Sequence, residues 1–186
     1  MIVLLASESL VRELTGVSDN VASKYITAAL REAQDMRLRS ILGSCLLDAL
    51  TAMVEAGTLD DEGNERYKEL AEQCRYLLVY AAVQQLIRTV SYKIANAGVV
   101  RTSDDKVANA SFSEVMSEVE YYEAMADHYA ITLQRWLLCN ADAFAELDCD
   151  CVCRMRANLS SAASSGLWLG GARGRRDRGS GEGCCR

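Results

Sequence analysis

No proline occurs anywhere in the 186 residues, and only five glycines stand before residue 159. Those two residue types most often end a helix, so a body without the first and poor in the second can run long helices that stop only at polar turns. Seven further glycines crowd into the last 21 residues. The expectation is an all-α body over residues 1–147, a bundle of four or five helices, followed by a C-terminal arm over residues 148–186 rich in Gly, Arg and Cys. Half of the chain is hydrophobic by count, enough to bury one core.

The helices are read from caps and apolar spacing. Ser7 caps a short helix over about 8–14, and "TGVSDN" breaks it. Ser18 caps a longer one whose apolar positions are Val21, Tyr25, Ala29, Ala33 and Met36. Gly43 marks a join or kink, and Gly57 closes the next segment as a C-cap glycine. From about Tyr67 to Asn96 runs the longest apolar stretch, with Leu70, Cys74, Leu77, Leu78, Ala81, Leu86, Ile87, Val90 and Ile94 on one broad face; this is the expected central helix. Residues 96–111 read as an exposed loop in which Val99 and Val100 form a short extended piece. Ser111 and Glu114 then stand at capping-box spacing. Beyond them Val115, Val119, Tyr122, Ala126, Tyr129, Leu133 and Trp136 recur at alternating steps of four and three. Such a stripe fits a coiled-coil seam or a lengthwise helical hairpin with the central helix. Three repeats is the lower limit for the former, so the hairpin is taken, antiparallel, with the last helix over about Phe112 to Leu138.

Charge divides the chain differently from hydropathy. Residues 1–153 hold 13 Lys or Arg against 24 Asp or Glu, whereas residues 154–186 hold seven Arg against two acids. An acidic body with a basic tail suggests that the tail meets something negative, either nucleic acid or the acidic body of another copy; the alternative is a solvated tail. Within it Leu167, Trp168 and Leu169 lie between Gly166 and Gly170, too few apolar residues to build a core. With Arg173, Arg175 and Arg176 they are the candidate docking residues, since Trp and Arg most often anchor interfaces. Val99, Val100 and Arg101 are the candidate contacts of the loop.

Chemistry-bearing patterns are weak. His128 is the only histidine, and no nucleophile-elbow motif accompanies it. "CDCVC" places Cys149, Cys151 and Cys153 at a spacing too tight for ordinary tetrahedral zinc; Cys139, or Cys184 and Cys185, could supply a fourth thiolate, and reduced free thiols are the other reading. Cys45 and Cys74 fall on apolar helix faces and read as buried hydrophobes. Gly170 and Gly171 lack the G-K-[ST] of a phosphate loop. Met1 to Leu5 lacks a basic region before it and is interrupted by Glu8, so it does not read as a signal peptide, and no apolar run reaches membrane-spanning length. The expectation is a protein without enzymatic activity, bound metal or cofactor, and with no membrane partner.

The stretches "SDNVASKYITAALREAQDMRLRSILGSCLLDAL", "YKELAEQCRYLLVYAAVQQLI" and above all "SYKIANAGVVRTSDDKVANASFSEV" resemble the small helical head-tail connector (adaptor) proteins of tailed bacteriophages, in particular versions from Bacteroides phages, crAss-like phages included. The likeness covers about residues 5–147, and "SAASSGLWLGGARG" in the arm is similar too. It implies a structural virion protein in the phage neck, made in the bacterial host cytoplasm. Its subunits would form a homo-oligomeric ring, commonly a dodecamer, below the portal protein. The ring would join capsid to tail, touch tail or second adaptor proteins, and extend a channel through which genomic DNA passes without sequence-specific binding. The alternative class is a small helical nucleic-acid-binding or regulatory protein with a basic, zinc-binding tail.

Overall fold

The computed structural model describes residues 3–95, 98–101 and 111–147. The fold is all-α, with one small β-hairpin among the described residues. Five helices follow in order: α1 (Glu8–Leu14), α2 (Ser23–Ala33), α3 (Arg39–Ala56), α4 (Glu65–Ser91) and α5 (Phe112–Cys139). A π-helical turn, Gln34–Leu38, joins α2 to α3, and a 3₁₀ turn, Ala141–Ala143, follows α5.

Local chemistry sets most of the ends. Ser7 is the N-cap of α1, its side chain accepting from the Leu10 amide. Ser111 and Glu114 form the reciprocal capping box at the start of α5, with Glu114 Oε2 2.6 Å from the Ser111 amide. Gly57 ends α3 in the left-handed conformation, φ 72° and ψ 18°. Gly43 interrupts α3 with φ 78° and ψ 169°, a kink rather than a stop.

Helices α4 and α5 pack antiparallel and lengthwise. Tyr67 near the start of α4 meets Phe144 just past α5, with ring centroids 5.2 Å apart. Tyr80 in the middle stacks on Tyr129 at 5.1 Å. Around the pair, α2 lies against α4, and α1 packs on both α2 and α4. Leu70, Cys74, Leu77, Leu78, Ala81 and Leu86 are buried, as expected, and so are Val79, Ala82, Val83 and Gln84. The middle of α4 is therefore enclosed on nearly every side. From the α5 stripe, Val119, Ala126 and Leu133 are fully buried while Val115, Tyr122, Tyr129 and Trp136 are half-buried. Leu137, outside the heptad pattern, is buried as well.

Several expectations are corrected. Helix α4 stops at Ser91 rather than Asn96; Tyr92–Ala95 pairs with Gly98–Arg101 as an antiparallel hairpin, β1 and β2, with Ile94 opposite Val99 and Lys93 opposite Val100. Ile94 thus belongs to a strand, and the expected loop over 96–111 begins as part of a hairpin; its residues 96–97 and 102–110 lie outside the described set. The extended piece at Val99 and Val100 is present as β2. Ser18 does not cap α2. That N-cap is Ala22, and Ser18 instead closes a turn with the amides of Asn20 and Val21. Met36 is 65 % exposed. The π turn fits an extra residue into one turn and rotates the next residues about the axis, so Gln34 and Leu38 face inward where simple helical spacing puts Met36. Cys45 is exposed, not buried; Cys74 is buried, and desolvation pushes its thiol pKa far up.

Gln34 is one of two buried polar residues among those described. Its side chain accepts from the Leu5 amide at 3.1 Å and donates to the Val3 carbonyl at 2.9 Å. It treats the N-terminal segment as a strand would, which satisfies buried groups on both sides and fixes that segment over the π turn.

Candidate functional site

The end of the bundle where α4 stops and α5 starts carries a cleft of about 760 Å³. Three elements meet there. The turn between α1 and α2 supplies Gly16, Val17, Ser18 and Val21; α4 supplies Val83, Leu86, Ile87, Val90 and Ser91; α5 supplies Glu114, Val115, Ser117, Glu118 and Tyr122. The floor is aliphatic and the α5 rim acidic, with no Lys or Arg in the lining. Arg12 holds the turn in place. It pairs with Glu8 at 2.7 Å and donates to the carbonyls of Ser18 and Val21. Five donors in a rigid fork suit this task, which a lysine could not do alone. Burial pushes the Tyr122 hydroxyl above its ordinary range, nearby Glu118 adds to this, and a hydrogen bond with the Gly16 backbone opposes it. The arrangement has the build of a recognition site, an apolar floor with a few oriented polar groups.

A tyrosine ladder runs from the cleft along the α4–α5 seam. Tyr122 tilts against Tyr80 at 6.3 Å, Tyr80 stacks on Tyr129, and Tyr129 stacks on Tyr76 at 5.5 Å. Offset-stacked rings contribute beyond their buried area. At the far end Tyr67 donates to Glu146 Oε2 at 2.7 Å. Burial first, and then this carboxylate, push its pKa up to about 12. A phenol whose folded pKa lies above its unfolded value of about 10 adds stability that is whole below pH 10 and lost as pH rises toward the folded value. Burial raises Tyr80 as well. The expected result is a melting temperature that falls between about pH 10 and pH 12, and less steeply in Tyr67→Phe than in the wild-type chain. Parallel curves for the two proteins would show that the Tyr67 hydroxyl is neither buried nor held by Glu146 in solution.

Leu167, Trp168, Leu169, Arg173, Arg175 and Arg176 lie outside the described residues, as do Cys149, Cys151, Cys153, Cys184 and Cys185. Val99, Val100 and Arg101 belong to β2, whose partner strand β1 continues directly from the end of α4. His128 is exposed on α5 beside Tyr129. Among the described residues no three His, Cys, Asp or Glu side chains cluster as metal ligands would. No helix of that set is long and apolar enough to cross a membrane. Sequence reading missed the cleft. Its lining comes from three separated segments, and only their approach makes it.

The chain belongs to a family of unknown function, DUF6712, whose model matches residues 38–157. No curated protein and no solved structure matches it. The matched region runs from the π turn through both long helices and the hairpin between them, and it contains the α4 and α5 sides of the cleft.

Proposed function

We propose that the protein is a structural virion component, a head-tail connector whose copies form a ring below the portal, extend the DNA channel and join capsid to tail. The observation that carries this reading is the hairpin set between the two longest helices. It falls within "SYKIANAGVVRTSDDKVANASFSEV", the stretch in which the resemblance to phage adaptors is strongest. A two-stranded hairpin that continues from the end of α4 has backbone edges that a neighbour could pair with, and connecting segments between rigid helices tend to carry function. The excess of acid over base in the body supports the same reading. A channel wall that DNA must slide through works best without phosphate contacts, each of which would hold the duplex.

Electron microscopy of the purified protein tests this directly, with closed rings of uniform size as the expected result. The same preparation should bind duplex DNA weakly and contain no stoichiometric zinc, and Cys149, Cys151 and Cys153 should all tolerate change to Ser without loss of assembly. A small particle with steeply salt-dependent DNA affinity, or zinc that disappears in the triple variant, would replace the connector with the basic-tailed nucleic-acid binder.

A further inference from the structure

We infer that the cleft at the α4–α5 end is the receptor for the C-terminal arm of a second copy, with Leu167, Trp168 and Leu169 seated on its aliphatic floor and Arg173, Arg175 and Arg176 against its acidic rim. The inference rests on the proposed ring only in taking another copy of the chain as the occupant.

Complementarity of composition comes first. The floor is Val17, Val21, Val83, Leu86, Ile87 and Val90. Val90 is 39 % exposed, an aliphatic side chain left open at the mouth. A volume of about 760 Å³ lies within the roughly 300–1,000 Å³ of sites that enclose a compact ligand, and a Trp flanked by two Leu is a compact apolar ligand. Charge agrees. From Phe112 to Gln134, α5 carries Glu114, Glu118, Glu120, Glu123 and Asp127 with no Lys or Arg. Residues 173–178 of the arm carry four Arg and one Asp. Arg37 already answers the lower carboxylates, at 2.8 Å from Asp127 and 3.7 Å from Glu123, and Glu114 is engaged at the Ser111 cap, so Glu118 is the lining carboxylate the arm would meet.

Geometry then favours a second copy over the chain's own arm. The arm departs after Leu147, beside Tyr67 and Phe144, at the opposite end of the α4–α5 pair from the cleft. The 28 residues of α5 separate those ends by about 40 Å at 1.5 Å per residue. Trp168 follows Leu147 by 21 residues, a length that would span about 25 Å if it behaved as a relaxed chain. Folding back onto its own cleft lies within the linker's extended reach of about 70 Å but would hold it stretched past its relaxed span. Reaching a copy whose cleft end lies beside the arm's root would not. The contact is head-to-tail: an arm at one end, a receptor at the other. Such heterologous contacts close into rings when the rotation between copies allows, and otherwise run on as open filaments.

The test uses the full-length chain and two variants that leave the core alone, Trp168→Ala in the arm and Val90→Glu at the mouth of the cleft. Sedimentation velocity over a concentration series reads the association. Each variant alone should associate at least about 30-fold more weakly than wild type, the scale of losing one interface anchor, with an unchanged monomer melting temperature. An equimolar mixture should then form one-to-one pairs and nothing larger, because only the intact arm of the Val90→Glu copy and the intact cleft of the Trp168→Ala copy remain. A third variant, Glu118→Arg, should weaken association, and combining it with Arg175→Glu and Arg176→Glu should restore part of the loss. The inference is overturned by a wild-type chain that stays monomeric, by either single variant associating as wild type, by a mixture that forms no pairs, or by a fall in monomer melting with Trp168→Ala, which would place the arm on its own body. Failure of this contact and failure of the ring look different. Rings that persist in both variants defeat the arm-in-cleft contact and leave the connector standing. Arm-dependent pairs or open filaments without closed rings do the reverse.

Discussion

Leu133→Asp is expected to abolish the native fold at neutral pH. Leu133 has no solvent exposure and sits on the side of α5 that faces the core. A carboxylate placed there has no partner within the apolar surroundings, and desolvating it costs several kcal/mol. A domain of this size holds only about 5–15 kcal/mol in total. The loss of leucine packing adds about 2–5 kcal/mol more. Circular dichroism should show lost cooperativity, and the purified variant should expose apolar surface. Leu77→Asp, the corresponding change on α4, should behave the same way, because Leu77 is equally enclosed. The control is Tyr121→Asp on α5, where the side chain is 56 % exposed and the cost should stay within about 0.5 kcal/mol. Below about pH 4 the buried Asp is protonated in both states, so part of the loss should be recovered there. A soluble, cooperatively melting Leu133→Asp protein at neutral pH would mean that the α5 stripe faces outward and is not the seam with α4.

That stripe was legible because it repeats, and the caps were legible because they are local. Ser7, Gly57, Ser111 and Glu114 act through neighbours a few residues away, so their role can be read from the adjacent sequence. The misses share a cause as well. Ser18 has the right chemistry for a cap, yet Arg12 draws the carbonyls of Ser18 and Val21 toward itself, and α2 starts only after that turn. Met36 sits at a correct helical spacing, but Gln34 is pulled inward to satisfy Leu5 and Val3 and the helix widens around it. The end of α4 carries no breaker at Ser91; residues 92–95 leave the helix because they find a partner strand in residues 98–101. Cys45 lies close to buried Leu46 and Leu47 in sequence and still points outward, since the kink at Gly43 resets the helix phase there. In each case a contact outside the helix's own spacing overrode a local preference. The cleft is the extreme instance. Its residues from the α1–α2 turn, α4 and α5 carry no mutual sequence signal, whereas the arm proposed to fill it is conspicuous in sequence.

The kink at Gly43 leads to the second large effect. Its φ of 78° with ψ of 169° falls in a region that is essentially closed to residues with a Cβ, at a cost of order 1–3 kcal/mol. Gly57 also has positive φ, but with ψ of 18° it is ordinary left-handed helix, where a side chain is disfavoured by only about 1–2 kcal/mol and where an added Cβ would meet nothing within 4 Å. Gly43→Ala should therefore destabilise more than Gly57→Ala, read as a larger drop in the urea midpoint at constant slope. The difference matters for the architecture. Leu38, Ile41 and Leu42 before the kink and Leu46, Leu47 and Leu50 after it are all buried in one cluster, and the break in helical phase lets both halves of α3 present their leucines to it. An alanine would favour a straight helix, which must turn one of those sets away from the core. The variant should consequently lose cooperativity or gain exposed apolar surface as well as stability. If Gly43→Ala instead matches wild type or is more stable, residues 39–56 run as one straight helix, and the burial of Leu46, Leu47 and Leu50 is achieved without the kink.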